Sequence, residues 1–306
     1  MGVQHEQPPQ GVDIDRSDLI ANRFPARFLD VTKAKRALAH LAGAKRANRR
    51  GRGVEFDEVR QYTAGDDVRA IDWRVTARSG EPHTKLFHEE RERPVLVCVD
   101  LRSTMRFGSR NCFKSVLAAH TASLLLWSAL DRGERVGGMV IHDDSARDIR
   151  PARSRHTVLS VIGDLARPAS DTVHPELSLG EQLRQIQRIA RPGSALFLIS
   201  DFHDGLDASA LQTLRRLAQH VQITGVIISD PLERELPSAG RYAVSDGQGR
   251  SVLETGNPAL ANRYRQDFDR DREALRREYQ SLRVPLIPLS TEHAPLPVLQ
   301  RYFATR

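Results

Sequence analysis

The chain has 306 residues, of which 40% are hydrophobic and 28% charged, and a formal net charge of +7. That is the composition of a soluble globular protein long enough for a substantial core. No run approaches the ~18–20 apolar residues of a membrane span, the start MGVQHEQPPQGVDIDRSDLIANRF has no apolar signal region, and two cysteines make neither a disulfide framework nor a metal-ligand spacing, so a cytoplasmic protein is expected.

Residues 1–20 are polar and rich in Gly, Pro and Gln and are expected to be disordered. Residues 21–93 are expected to form a basic helix followed by a small β module. Phe28, Leu29, Ala37, Leu38 and Leu41 recur at helical spacing and predict a helix over 28–47, which RRGRG then breaks. Between Arg23 and Arg60 there are eleven Lys/Arg against four Asp/Glu, an excess of +7. The stretch KAKRALAHLAGAKRANRRGRG (33–53) is thus a candidate nucleic-acid footprint. It has no aromatic side chains on which bases would stack, which favours a solvated helix face.

Val54, Phe56 and Val59 to Tyr62 predict a strand, Ala64-Gly65-Asp66 a turn, and Thr84 to His88 a return strand. Within GDDVRAIDWR (65–74), Asp66, Asp67, Arg69, Asp72 and Trp73 form a structural motif. The carboxylates are expected to cap turns and pair with Arg60, Arg69 or Arg74, and Trp73 to anchor the module to the sheet. A nuclease reading of the same carboxylates lacks the spaced glutamate-x-lysine.

From Pro94 to about Asp230 strands and helices alternate, predicting an α/β fold with a doubly wound, mainly parallel sheet. VLVCVDL (95–101) is a near-continuous apolar run, as for a strand covered on both faces. A largely buried helix (113–130), a strand (135–144), an edge strand at SARDIRPA and helices over 156–167 and 177–190 follow. SALFLISDF (194–202), the helix ASALQTLRRLAQH and the strand VQITGVIISD complete this core. Residues 231–306 are expected to add a hairpin turning at Asp246-Gly247, a long charged helix opened by Asn257-Pro258, and a strand at 284–290.

In an open parallel sheet, ligands bind at the carboxyl ends of the strands. Asp100 and Asp201 both end predicted strands, and Ser178 lies just ahead of a helix between them. Two carboxylates with hydroxyls and waters suit a hard cation such as Mg²⁺.

The order Asp100–Thr104, Ser178, Asp201 resembles a von Willebrand factor A domain, whose metal-ion-dependent adhesion site takes ligands from three loops in that order. More specifically, residues 51–109, GRGVEFDEVRQYTAGDDVRAIDWRVTARSGEPHTKLFHEERERPVLVCVDLRSTMRFGS, resemble the MoxR-associated, von Willebrand A-like family termed domain of unknown function 58. The resemblance implies that Asp100 is the first aspartate of the metal site, Thr104 the second hydroxyl, Ser178 the usual threonine and Asp201 the last aspartate. Arg102 stands where the first hydroxyl belongs. A guanidinium offers donors only and keeps its charge. Turned inward, it would repel Mg²⁺ and pair with Asp100 or Asp201; turned outward, it would leave a ligand position to water. The expectation is a degenerate, weakly occupied site in which Arg102 and Ser103 present a surface to a partner.

The resemblance further implies a non-enzymatic adaptor that acts with a MoxR-type AAA+ ATPase and a protein client in assembly, maturation or remodelling. No catalytic residues are expected. Ser103 lacks a Gly-x-Ser-x-Gly elbow, no phosphate-binding Gly-x-x-x-x-Gly-Lys motif occurs, and His83, His88, His120 and His203 build no triad. The alternatives are a Mg²⁺-dependent protein-ligand-binding domain and nucleic-acid binding through 33–53.

Overall fold

The computed structural model describes residues 7–33, 55–63, 68, 71–88, 93–168, 178–245 and 249–303. They fall into two compact units, one comprising residues 1–44 with 93–306 and the other residues 45–92. The small unit ends at 92, beside the expected boundary at 93/94, while no division falls at 230/231. Both the amino-terminal segment and the tail are built into the large unit.

In the large unit, helix α1 (Arg16–Ala21) is capped by the Asp15 carboxylate, which accepts from the Ser17 and Asp18 N–H groups. Residues 7–20 are ordered, contrary to expectation. Gly11 bonds Asn111 and Phe113 through its backbone N–H and C=O, and Leu19 is wholly buried. Two 3₁₀ turns follow at Pro25–Phe28 and Val31–Lys33. The start of the expected 28–47 helix is thus 3₁₀ and extended; residues 34–47 lie outside the described residues, as does the rest of the basic stretch to 53.

The small unit pairs β1 (Glu55–Gln61) antiparallel with β2 (His83–His88), as the sequence predicts. Between them lies a helix, α2 (Trp73–Ser79), that the sequence reading missed. Asp72 caps it by accepting from Arg74 and Val75 N–H, and Gly80 ends it at φ 77°, a left-handed conformation that favours glycine. The capping role expected of the acidic cluster is seen at Asp72. Asp66, Asp67 and Arg69 lie outside the described residues. Trp73 is the first residue of α2 and is exposed.

The sheet of the large unit has six strands: β3 (Val95–Asp100), β4 (Val136–Ile141), β5 (Ala146–Ala152), β6 (Ala195–Ser200), β7 (Gln222–Ser229) and β10 (Leu286–Ser290). Their order is β10-β7-β6-β3-β4-β5, and every pair is parallel except β4–β5. The expected doubly wound, mainly parallel α/β fold is what forms. All six residues of β3 are buried, in keeping with a central strand covered on both faces. Helices α3 (Lys114–Asp131) and α4 (Arg155–Leu165) cover one face together with α1 and α9 (Pro295–Phe303). Helices α5 (Leu179–Ile189), α6 (Ala208–Ala218) and α8 (Pro258–Ser281) cover the other. A one-turn helix α7 (Pro231–Arg234) and the hairpin of β8 (Arg241–Ser245) and β9 (Arg250–Glu254) link β7 to α8. Among the described residues no helix is long and apolar enough to cross a membrane.

The amino-terminal segment is pinned to α3, which is buried nearly all round. Trp127 Nε1 donates to the Leu19 carbonyl at 3.1 Å and Ser128 Oγ to that of Leu29 at 3.0 Å. The tail closes the same face. Phe303 meets Phe197 of β6 edge to face at 5.9 Å, and its carbonyl accepts from Asp30 N–H at 2.7 Å.

Candidate functional site

The chain runs from β3 outward to β4 and β5, then returns to the other side of β3 and runs outward through β6, β7 and β10. The direction reverses between β3 and β6, and that switch point is where an open α/β sheet forms its crevice. Asp100 ends β3 and Asp201 follows β6, so the two carboxylates read from the sequence flank this crevice.

Asp100 is 1% exposed. Its Oδ1 accepts from Arg102 Nε at 3.0 Å and from the Arg102 backbone N–H at 3.1 Å; its Oδ2 accepts from Arg102 Nη2 at 2.8 Å and Ser200 Oγ at 2.8 Å. Four bonds fill the roughly four lone-pair sites of a carboxylate. The remaining Nη1 of Arg102 donates to Asp204 Oδ2 at 2.7 Å. Arg102 thus takes the inward orientation, but its second carboxylate is Asp204 rather than Asp201. Burial alone would favour a neutral guanidinium; Asp100 and Asp204 outweigh it and raise the pKa of Arg102.

Asp201 has a different cation. Lys114, the first residue of α3 and 1% exposed, places Nζ 2.7 Å from Asp201 Oδ2 and also bonds Glu233 Oε1. Asp201 Oδ1 accepts from His203 N–H at 3.1 Å. Burial pushes the Asp201 carboxyl up, but the Lys114 ammonium, the His203 N–H and the Thr104 hydroxyl bring it below the usual carboxylate value. Thr104 Oγ1 lies beside Asp201 without the alignment of a full hydrogen bond and has no other partner among the described residues. Arg272 of α8 completes the cluster. Its Nη1 donates to the Asp201 carbonyl at 2.6 Å, its Nη2 lies 3.7 Å from Glu233 Oε2, and its guanidinium lies over the Phe268 ring at 4.8 Å.

Two further carboxylates pin the loop after β3. Asp143, beyond β4, accepts from Ser103 N–H at 2.7 Å and Arg106 Nη1 at 2.6 Å. Asp230, at the end of β7, accepts from Ser109 N–H and Oγ, from Thr291 Oγ1 at 2.6 Å and from Leu232 N–H. These donors outweigh burial and lower its pKa. On the β6 side, Phe202 adopts φ 51°, uncommon for a side chain of this size. Ser200 Oγ accepts from its N–H at 2.9 Å, and its ring packs on Tyr279 at 5.6 Å. The strained residue is held from both sides.

The family described as Protein of unknown function DUF58 matches residues 58–278. The chain is a DUF58 protein. Uncharacterized protein Rv1480 of Mycobacterium tuberculosis (strain ATCC 25618 / H37Rv) and Uncharacterized protein Mb1516 of Mycobacterium bovis are each 29% identical to it over 300 residues, covering 96% of this chain and 92% of theirs. Among solved structures it is similar to the conserved hypothetical protein BatB from Bacteroides thetaiotaomicron, with 14% identity, 62% of this chain and 98% of that one covered and a TM-score of 0.36. It is also similar to a von Willebrand factor type A protein from Catenulispora acidiphila, with 14% identity, 48% and 35% coverage and a TM-score of 0.35.

In this DUF58 chain the metal-site residues do not come together as ligands. Asp100, Thr104 and Asp201 converge on the switch point. Ser178 caps α5 instead, its hydroxyl accepting from Glu181 N–H at 3.2 Å in a reciprocal capping box, and it bonds neither Asp100 nor Asp201 among the described residues. No group of three or more His, Cys, Asp or Glu side chains among the described residues is arranged to hold a metal ion. A Mg²⁺ ion would meet a saturated Asp100 and two fixed cations, and one ammonium already occupies the open oxygen of Asp201. This donor set does not fit the ion.

Arg102 is 7% exposed and committed to two carboxylates. It holds the loop rather than presenting a charge outward, so of the pair expected to face a partner only Ser103 is exposed. Lys114, Ser200, Asp204, Glu233 and Arg272 were missed by the sequence reading. The available signal was Lys114 itself, the first residue of a largely buried helix whose other Asp, Glu, Lys or Arg, Asp131, lies at its far end.

Proposed function

We propose that this DUF58 protein is a non-enzymatic interaction module, an adaptor that works with a MoxR-type AAA+ ATPase on a protein client. The observation that carries the reading is the internal neutralisation of the switch-point crevice. Arg102 and Lys114 occupy the two carboxylates around which a metal-dependent site would be built. A saturated, buried ion network costs reorganisation to open and suits a fixed surface better than a reaction centre. Resemblance of residues 51–109 to the MoxR-associated family supplies the partner class.

The binding face in this reading is the set of loops at the carboxyl edge, with Ser103 and His203 exposed on it. The test is co-elution of the full chain with a MoxR-type ATPase from the same genome, in ATP, ADP and nucleotide-free buffers. Binding in at least one state, weakened by Ser103→Arg or His203→Glu in variants that melt like the parent, supports the proposal. No co-elution in any state contradicts the partnership, and unaltered binding by both variants contradicts the face.

A further inference from the structure

Beside the switch point, the β6–α6 loop and one face of α8 enclose a cleft of about 660 Å³. Tyr264, Asp267, Phe268, Asp271, Leu275 and Glu278 recur at spacings of three and four, so one helix face supplies one wall. Phe202 and Leu206 supply apolar surface opposite. The volume is within the roughly 300–1,000 Å³ of formed ligand pockets.

Its charge runs against that of the protein. The chain carries +7, yet the lining has six carboxylates, Asp204, Asp207, Glu233, Asp267, Asp271 and Glu278, and one guanidinium, Arg272; Asp204 and Glu233 already pair with Arg102 and Lys114, which leaves Asp207, Asp267, Asp271 and Glu278 to the cleft. Arg272 is already committed to Glu233, the Asp201 carbonyl and the Phe268 ring. Asp267 pairs with Arg263 and Arg270, and Asp271 with Arg270, in exposed contacts, which are worth little. Glu278 has no cation partner among the described residues, and burial raises its carboxyl above the ordinary value. Arg272 over Phe268 also shows that this wall accepts a guanidinium on an aromatic face.

We infer that this cleft is a docking groove for an arginine-bearing amphipathic segment of a partner protein, which seats an apolar side chain against Leu206 and Leu275 and a guanidinium among Asp271, Glu278 and the α8 aromatics. The inference rests on the adaptor reading and gives it a partner chemistry. A planar fork on an apolar stem matches carboxylates set around apolar walls. The carboxylates are spread along the groove rather than gathered around one point, which suits a side chain better than a metal ion. Nucleic acid and anionic membrane are repelled by the same charge.

The test uses the full chain and a short fluorescein-labelled peptide of alternating Leu and Arg, with its citrulline counterpart as the neutral isostere, read by anisotropy. Binding of the arginine peptide is expected to weaken with added salt. It should also fall at least about tenfold, or ~1.4 kcal/mol, for the citrulline peptide and in Asp271→Arg/Glu278→Arg, while Glu254→Arg/Glu292→Arg leaves it unchanged. Should the reversed variant misfold, Asp271→Asn/Glu278→Gln gives a smaller loss in the same direction. Equal binding of both peptides, or indifference to the cleft variants, overturns the inference. So does a dimer in sedimentation velocity that the cleft variant dissolves, since the occupant is then a second copy. ATPase co-elution unchanged in a cleft variant that has lost the peptide leaves the adaptor reading intact and removes the ATPase as occupant. Cleft-dependent peptide binding without any ATPase binding removes the partnership and leaves the groove.

Discussion

Replacing Lys114 with Met keeps the length of the side chain and removes its charge, so the cost isolates the buried ammonium. Asp201 is then buried with no cation on its carboxylate, since Arg272 reaches only its backbone carbonyl and remains near Glu233. Both partners of the Lys114–Asp201 pair are about 2% exposed or less. Removing one partner of such a pair costs roughly 3–5 kcal/mol, and at about 2–4 °C per kcal/mol in a unit of this size the melting temperature falls by about 6–20 °C. Asp201→Asn in the Lys114→Met background removes the stranded charge and is expected to recover about 1–3 kcal/mol as coupling. The pH dependence has a definite sign. In the parent the Asp201 carboxyl lies below its ordinary value, so its contribution is present above the unfolded pKa of ~3.9 and is lost as pH falls through the lowered folded pKa. In Lys114→Met burial is no longer opposed by the ammonium and the folded pKa rises. The variant's deficit should therefore shrink between pH 7 and pH 5. Urea denaturation across that range measures it. A variant within about 1 kcal/mol of the parent at pH 7, or a deficit that grows on acidification, would mean that Lys114 does not stabilise the buried Asp201 carboxylate.

Arg102→Lys retains the charge but loses the two-pronged grip on Asp100 and the bond to Asp204; a loss of about 1.5–3 kcal/mol in chemical denaturation is expected. Asp230→Asn turns an acceptor oxygen into a donor against Ser109 or Thr291 and should cost at least about 3 kcal/mol, with the acid limb of the stability profile flattened because the lowered carboxyl no longer titrates. Gly138→Ala would place a methyl 2.0 Å from the Val97 carbonyl oxygen in the adjacent strand. Backbone there cannot yield, so destabilisation beyond about 3 kcal/mol or loss of soluble protein is expected, and a normal melting curve would contradict the β3–β4 spacing.

How far the sequence revealed this molecule depended on how local each cause was. Continuous apolar runs gave β3, β6 and β7, because a strand covered on both faces needs no alternation. The Asn257-Pro258 start gave α8, whose Asn257 side chain accepts from Ala259 N–H as a cap should. Residues 7–20 read as disordered because their order comes from distant partners, Asn111, Phe113 and Trp127, and from a core that accepts Leu19. Helix α2 was hidden because its seven residues, WRVTARS, are too few to show a helical apolar period. At the site, strand ends located Asp100 and Asp201 correctly. The identity of their cations was not legible. Asp204 lies 102 positions from Arg102, and Lys114 87 from Asp201. Such partners are chosen by the crossover of the chain at the switch point and not by any motif.

The crevice is neutralised by the chain's own arginine and lysine. Melting of the parent protein in millimolar Mg²⁺ against EDTA reads this neutralisation. A bound ion at 100 times its dissociation constant adds ~2.7 kcal/mol, which at this size raises melting by roughly 5–10 °C. Coincident curves are expected for the parent, and a Mg²⁺-dependent upward shift only after Arg102→Ser and Lys114→Ser are combined. A shift of that size in the parent would contradict the neutralisation.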